Sequence, residues 1–332
     1  MEKINRLIEN KINFKNLKKY TAIIGETPSI GARSPKLWNS AYKVFKKKCL
    51  MFPFDIYDNN LEKLISELRK DNRFIGGSVT APYKEKIIKY LDGISQESKK
   101  IGSINTLIKK NKKIYGENTD YYGALYSLKN ISNRKKILVL GCGGAGKAVI
   151  IACLKKFNKS NFMLHNRNKK KVKNFIKNLG KKNLIKIVNN YNELKNLKNL
   201  DLIINTTSIG FDSWVKEKNN FKNLKFFNPI SDLKKIKHVK KKKSKNFLNR
   251  NFRIFNKNLN ELNKFYAKNN GAVIFDIIYN PLMSQFLEIA KNSNLKTING
   301  LEMNLYQAIK AFSIVNGLKN EKKIRKAMIS YG

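Results

Sequence analysis

From Tyr20 onward, short apolar runs alternate with longer stretches in which apolar residues recur every three or four positions. YTAIIG, LMFPFDIY and FIGGSVT predict strands, and SPKLWNSAYKVFKKK, NLEKLISELRK and PYKEKIIKYL predict the helices that alternate with them. This βαβ rhythm predicts a parallel sheet covered by helices. Two shorter strands, SINTLIKK and KKIYGENT, follow around Asn111, and YYGALYSLKN predicts a linking helix. A second unit opens at Lys135 with KKILVL, then GCGGAGKAVIIACLKKF, NFMLHNR, a helix from Lys169, LIKIV, a short helix near Glu193 and DLIINTTSIG. Strand, glycine loop, helix, strand, helix, strand is the order of a dinucleotide-binding half. Later, AVIFDIIYNP, a helix at LMSQFLEIAKNS, the strand LKTING and a helix from Glu302 to about Asn316 restore the rhythm.

The expected fold is therefore α/β in two domains. Residues 1–19 read as an N-terminal extension, 20–126 as a βαβ substrate-binding and catalytic domain, and 127–298 as a Rossmann-type domain. Residues 299–332 read as C-terminal helices packing back on the first domain. Within the Rossmann-type domain, about 212–270 breaks the pattern with KKIKHVKKKKSKNFLNRNFRIFNKN. Like charges at that density resist burial, so the stretch is expected to be a mobile basic insertion, and loss of residues 234–258 to be tolerated.

Charge changes little in this picture. Lys plus Arg number 69 against 23 Asp plus Glu in 332 residues, a formal charge of +46. The excess is mostly Lys, spread along the whole chain beside abundant Asn, as AT-rich coding would produce. It is read as solvated surface, with nucleic acid an unlikely partner. No run reaches the ~18 apolar residues of a membrane span, and the first residues lack a secretory pattern, so a cytoplasmic protein is expected. Cys49, Cys142 and Cys153 form no CxxC pair, and His165 and His238 have no acidic or cysteine neighbour at ligand spacing, so no metal is expected. A Ser/His/Asp hydrolase is equally disfavoured, leaving Lys, Asp, Glu or Tyr for proton transfer.

Three places carry chemistry. Gly141, Gly143 and Gly146 form G-x-G-x-x-G between an apolar strand and a helix, where the backbone can approach a pyrophosphate held on free N–H groups. The following strand ends in Asn166, Arg167 and Asn168 rather than in the carboxylate that would accept from NAD ribose hydroxyls; a guanidinium fits a 2′-phosphate, favouring NADP. Lys84 follows SVTAPY, where Pro82 is expected to fix the first helical turn, and Asp120 closes an NTD triplet in a chain poor in acids. Brought together they would make an acid/base pair, but spacing alone leaves open whether they meet.

Taken in order, GETPSIGARSPKLWN, GGSVTAPYKE, GSINTLI, ENTDYYGA, GCGGAGKA, NRN, INTTSIG, FDIIYNP and GLEMNLYQA resemble the blocks of shikimate dehydrogenases, from about Tyr20 to Phe312 outside the basic stretch. The wording of SVTAPYKE, NTDYYG and GGAGKA is most similar to the dehydrogenase half of plant-type bifunctional dehydroquinate dehydratase/shikimate dehydrogenases, whose dehydratase half has no room in residues 1–19. The resemblance implies reversible NADPH-dependent reduction of 3-dehydroshikimate to shikimate, in chorismate and aromatic amino acid biosynthesis, in a cleft between the domains. It implies Lys84 and Asp120 as the catalytic pair, and Ser34, Thr80, Asn105, Tyr279 and Gln307 as holders of the substrate carboxylate and hydroxyls. Gly141, Gly143, Gly144, Ala145 and Gly146 would form the cofactor loop, Asn166 and Arg167 the adenosine phosphate clamp, and Thr206, Ser208, Gly300 and Met303 would flank the nicotinamide. It leaves a monomer or homodimer open.

The chain departs from that family at identifiable places. The usual His-Ser-x-Ser-Pro reads Gly31-Ala32-Arg33-Ser34-Pro35, which lacks one carboxylate-binding hydroxyl, and the Thr usual after Asn-Arg is Asn168. A quinate or mixed quinate/shikimate dehydrogenase, and an inactive descendant binding nucleic acid through its basic stretch, are the alternative readings. If Arg167 meets a phosphate, one charge-assisted contact gives NADP a preference over NAD of about 10- to 150-fold. Steady-state kinetics with both cofactors should show it, and Arg167→Ala should remove most of it while sparing the rate with NAD.

Overall fold

The computed structural model describes residues 2–14, 17–180, 184–212, 214–217, 220–231, 237, 239–240 and 246–330. The chain divides into two compact units, Met1–Tyr126 with Leu305–Gly332, and Ser127–Asn304. No helix among the described residues is long and apolar enough to cross a membrane.

The first unit runs α1 (Glu2–Asn5), β1 (Lys19–Gly25), α2 (Ser34–Val44), β2 (Cys49–Asp55), α3 (Leu61–Lys70), β3 (Phe74–Val79) and α4 (Tyr83–Lys86). It continues through β4 (Gly93–Ile94), α5 (Gln96–Ile101), β5 (Thr106–Lys110), β6 (Lys113–Glu117) and α6 (Asp120–Leu128). Its sheet has the order β2-β1-β3-β5-β6-β4. β1 pairs parallel with β2 and β3, as the βαβ rhythm predicts, but β5 is antiparallel to both β3 and β6, so the sheet is mixed rather than parallel. The reversal from β5 to β6 is local: Asn111 and Lys112 both take positive φ (47° and 60°), the two-residue hairpin turn that reverses a chain. Residues 1–19 are not a bare extension, because Ile4, Ile8 and Phe14 are buried in the same apolar cluster as Tyr20, Phe54 and Phe74.

The second unit runs β7 (Lys136–Leu140), α7 (Gly144–Lys156), β8 (Asn161–His165), α8 (Lys169–Leu179), β9 (Ile185–Val188), α9 (Tyr191–Lys195) and β10 (Leu202–Asn205). A hairpin of β11 (Trp214–Glu217) and β12 (Asn220–Asn223) follows, then α10 (Asn246–Ala267), β13 (Val273–Asp276), α11 (Gln285–Asn292) and β14 (Lys296–Ile298). The sheet order is β14-β13-β10-β7-β8-β9, parallel throughout. Strand order reverses between β10 and β7, the place where a doubly wound sheet opens a crevice at its carboxyl ends. The chain's many asparagines cap helices here: Asn168 Oδ1 accepts from Lys171 N, and Asn190 Oδ1 from Glu193 N.

The final helices are α12 (Leu301–Asn316) and α13 (Glu321–Ile329). The unit boundary falls inside α12, not at residue 298, and the portion from Leu305 belongs to the first unit. Phe312 packs edge-on against Trp38 of α2 at 5.2 Å, and Ser40 Oγ donates to the Ala327 carbonyl at 2.6 Å.

Much of the expected insertion at 212–270 is core. Leu224, Phe227 and Ile230 are buried, and α10 is a 22-residue helix with Leu262, Phe265 and Tyr266 in the main cluster of the second unit. The helix escapes a hydrophobic-period reading because its buried face also carries Asn251 and Asn258, which interrupt the apolar stripe. Asn251 fits there by donating to the Phe247 and Lys237 carbonyls and accepting from Lys237 N. The Lys run at 241–245 lies outside the described residues. Removal of 234–258 is therefore expected to destabilise the unit rather than to be tolerated. Phe265→Ala should cost about 3–5 kcal/mol of unfolding free energy, against less than about 0.5 kcal/mol for the exposed Lys257→Ala; chemical denaturation of the two variants measures the difference.

Candidate active site

In the first unit the chain brings four of the expected residues into one hydrogen-bonded group. Lys84 is the second residue of the four-residue α4, with Pro82 at the cap position rather than inside the first turn. Its Nζ donates to Asp120 Oδ2 at 2.5 Å, and its backbone carbonyl accepts from Ile104 N at 2.7 Å. Asn105 sits just ahead of β5, where its Nδ2 reaches Asp120 Oδ1 at 2.9 Å and Gln307 Oε1 at 3.1 Å. Its Oδ1 accepts from Thr119 N at 2.6 Å, and Asn118 holds the same loop through Nδ2 to the Ser103 carbonyl. Asp120 and Asn105 are buried, whereas the Lys84 side chain keeps 20% of its surface, so the amine is the member of the group open to a small molecule.

Ser34 opens α2 and is buried, and Thr80 follows β3 with its amide on the Ile24 carbonyl. Between them, Ser29 is held to Asp55 through its hydroxyl and, at 2.9 Å, its amide. Tyr279 lies in the second unit after β13, its ring edge-on to Phe211 at 5.8 Å.

In the second unit a cavity of about 240 Å³ opens at the switch point, lined by Gly141, Gly143, Asn166, Arg167, Thr206 and Ser208 among others. The glycines act differently. Gly141 has φ +109°, and a Cβ on it or on Gly146 would stand 2.6 Å from Thr206 Oγ1. Thr206 is fixed there by donating to the Leu140 carbonyl at 2.9 Å, so these two glycines let loop, helix and β10 close together. A Cβ on Gly143 would meet nothing within 4 Å, which leaves the N-terminus of α7 open to an anion. Gly144, Ala145 and Gly146 form the first turn of that helix. Asn166 Oδ1 accepts from Cys142 N at 3.3 Å, tying the clamp to the loop, and Arg167 is exposed beside it. A dinucleotide with an added phosphate fits this set: the N-terminus of a helix, an open glycine and a guanidinium on one rim. Gly300 and Met303 are not among the residues lining the cavity. Gly300 lets the chain cross the Ile277 backbone, where a Cβ would stand 1.8 Å from the carbonyl oxygen, and Met303 is buried in the first turn of α12.

Two family models match the chain, one described as the shikimate dehydrogenase substrate binding domain over residues 24–107 and one as shikimate / quinate 5-dehydrogenase over 125–227. The shikimate dehydrogenase (NADP(+)) of Methanococcus maripaludis is 32% identical over 315 residues, 94% of this chain and 96% of that protein. The chain belongs to the shikimate dehydrogenase family. The enzyme of the same name from Clostridium beijerinckii is 32% identical over 94% of this chain and 97% of its own. Among solved structures, the shikimate dehydrogenase of Aquifex aeolicus superposes with a TM-score of 0.69 at 27% identity, covering 96% of this chain and all of that one. A shikimate dehydrogenase in complex with NADP+ superposes at 0.68 and 28% identity, covering 96% and 97%. The curated relatives named here are archaeal and bacterial, and the plant-type wording of three motifs is a side comparison.

The sequence reading missed the residues that support both loops of the family site. Asn205 closes β10 and donates to Asp276 Oδ1 at 2.9 Å, while its Oδ1 accepts from Thr207 Oγ1 at 2.7 Å. Asp276 also accepts from Ser284 Oγ at 2.5 Å and Ile278 N at 3.1 Å, fastening the segments that carry Ser208 and Tyr279. The signal available was an acid directly after an apolar strand. Complete burial pushes the Asp276 carboxyl up to about 7, with its three donors opposing. The unfolded chain loses this proton near pH 4, whereas the folded chain keeps it until about 7, so this group makes stability fall as pH rises through that window. The whole decrease across that window amounts to at most about 4 kcal/mol. Asp276→Asn should remove it, seen by comparing unfolding free energies of the two proteins between pH 4.5 and 7.5.

Proposed function

We propose that the chain is an NADP-dependent shikimate dehydrogenase, reducing 3-dehydroshikimate reversibly to shikimate. The observation that carries this reading is the 2.5 Å bond from Lys84 to Asp120, held by Asn105 and Gln307 in a family member. Lys84 Nζ is the proton donor to the substrate carbonyl oxygen as the carbonyl carbon is reduced; in the reverse direction the neutral amine takes the hydroxyl proton. Asp120 orients the amine and balances its charge. Asn105, Gln307, Ser34, Thr80 and Tyr279 hold the substrate carboxylate and hydroxyls. When bound, the reduced nicotinamide supplies the hydride. Gly141, Gly143 and the α7 N-terminus hold its pyrophosphate, with Asn166 and Arg167 at the 2′-phosphate. Gly144, Ala145, Gly146, Thr206, Ser208, Gly300 and Met303 complete the cofactor side, Thr206, Gly146 and Gly300 by packing. Residues of the first unit thus manage the proton, and those of the second the dinucleotide.

Ala32 lacks a hydroxyl and Ser29 is committed to Asp55, so Ser34 is the hydroxyl of this loop left for the substrate carboxylate. The name of the second family model also covers quinate, which has one more hydroxyl than shikimate. Reduction of NADP followed on shikimate and on quinate, each repeated with NAD, tests the reading; turnover on quinate with NAD alone would replace it. Lys84→Ala should lower turnover on shikimate by about 10²- to 10⁴-fold while cofactor affinity stays within about twofold. Normal turnover in that variant would remove Lys84 from the chemistry.

A further inference from the structure

One of the residues lining the cavity beside the glycine loop carries a buried polar atom that the chain leaves unsatisfied. His165 closes β8, is 7% exposed, and turns Nδ1 to the Val188 carbonyl at 3.0 Å. A carbonyl can only accept, so Nδ1 carries the ring's hydrogen and Nε2 is a bare acceptor in the neutral imidazole. Nε2 is buried without a hydrogen-bond partner, in a side chain that lines the cavity together with Asn166, Arg167 and Tyr191. Burial pushes the imidazole below its ordinary range, against the opposing pull of the Val188 carbonyl and Glu193, so the acceptor form prevails at neutral pH. The Tyr191 ring meets His165 edge-on at 5.2 Å and gives the cavity an aromatic wall.

A lone pair repels phosphate oxygens, and the phosphates have their own partners in Arg167 and the α7 N-terminus. What Nε2 lacks is a donor, and an aromatic wall suits a flat ring better than a sugar. We propose that His165 reads the base of the cofactor, its Nε2 accepting a hydrogen bond from the exocyclic amine of adenine. The inference rests on the NADP reading above and adds base selectivity to it: a purine with a carbonyl in place of that amine would set two acceptors against each other. His165 is then a specificity residue of the nucleotide site, distinct from the guanidinium that selects the 2′-phosphate.

Calorimetric titration of the intact protein tests it with two probes, NADP+ and nicotinamide hypoxanthine dinucleotide phosphate, which differ only in that group. The wild-type protein should bind the hypoxanthine compound about tenfold more weakly or worse. In His165→Phe, which keeps a ring against Tyr191, the two affinities should converge to within about twofold, and His165→Gln, which offers a carbonyl oxygen, should restore part of the difference. Equal affinities in the wild type overturn the inference without need of any variant, as does a difference that persists unchanged in a folded His165→Phe. Failure of the wild type to bind NADP+ at all would overturn the cofactor reading, and this inference with it.

Discussion

Asn105 is buried with both ends of its amide engaged, and the hydrogen-bonded group of the first unit that includes Lys84 and Asp120 depends on it. Its nitrogen draws Asp120 from the start of α6 and Gln307 from α12, the latter 202 residues away from Asn105 in the chain, while its oxygen takes the Thr119 amide. A neutral amide suits this place because it donates to a carboxylate and accepts from a backbone N–H at once, which neither a carboxylate nor an ammonium can do. Asp120, fixed through Oδ1 by Asn105, presents Oδ2 to Lys84. The four-carbon stem of Lys84 is therefore tied at its tip as well as at its helix.

The second unit solves a different problem, which is close approach. Thr206 Oγ1 stands where a Cβ on Gly141 or Gly146 would collide, so the absence of side chains on these glycines lets the strand end and helix close around Thr206. Gly143 faces open space, which leaves the helix N-terminus accessible. Behind it, Asn205 and Asp276 link the ends of β10 and β13, so the loops that follow these strands are fastened to the sheet. The compositional drift toward Lys and Asn leaves this machinery intact because each residue goes where its chemistry is tolerated. Lysines lie mostly on the solvated surface, and several asparagines serve as helix caps or as buried hydrogen-bonding bridges. Asn269, for example, accepts from Leu200 N and donates to the Leu197 and Phe265 carbonyls.

By itself the sequence determined the two-part α/β plan, the glycine loop between strand and helix, the cationic end of β8 in place of a carboxylate, and the identity of the proton-transfer candidates. These features are local: strand and helix periods, a tight turn and a charge all act within a few residues, and few alternatives satisfy them. Tertiary structure decided what depends on distant partners. Whether Lys84 and Asp120 meet was settled by Asn105 and by the turn at Asn111 that reverses β5 and β6. Whether 246–267 folds was settled by buried surfaces that accept Asn251 and Asn258, residues whose polarity conceals a helical stripe. The burial of Asp276 and the unsatisfied nitrogen of His165 belong to the same class. A hydrogen bond or its absence is a property of two groups in space, and one residue's place in the chain carries no record of the other.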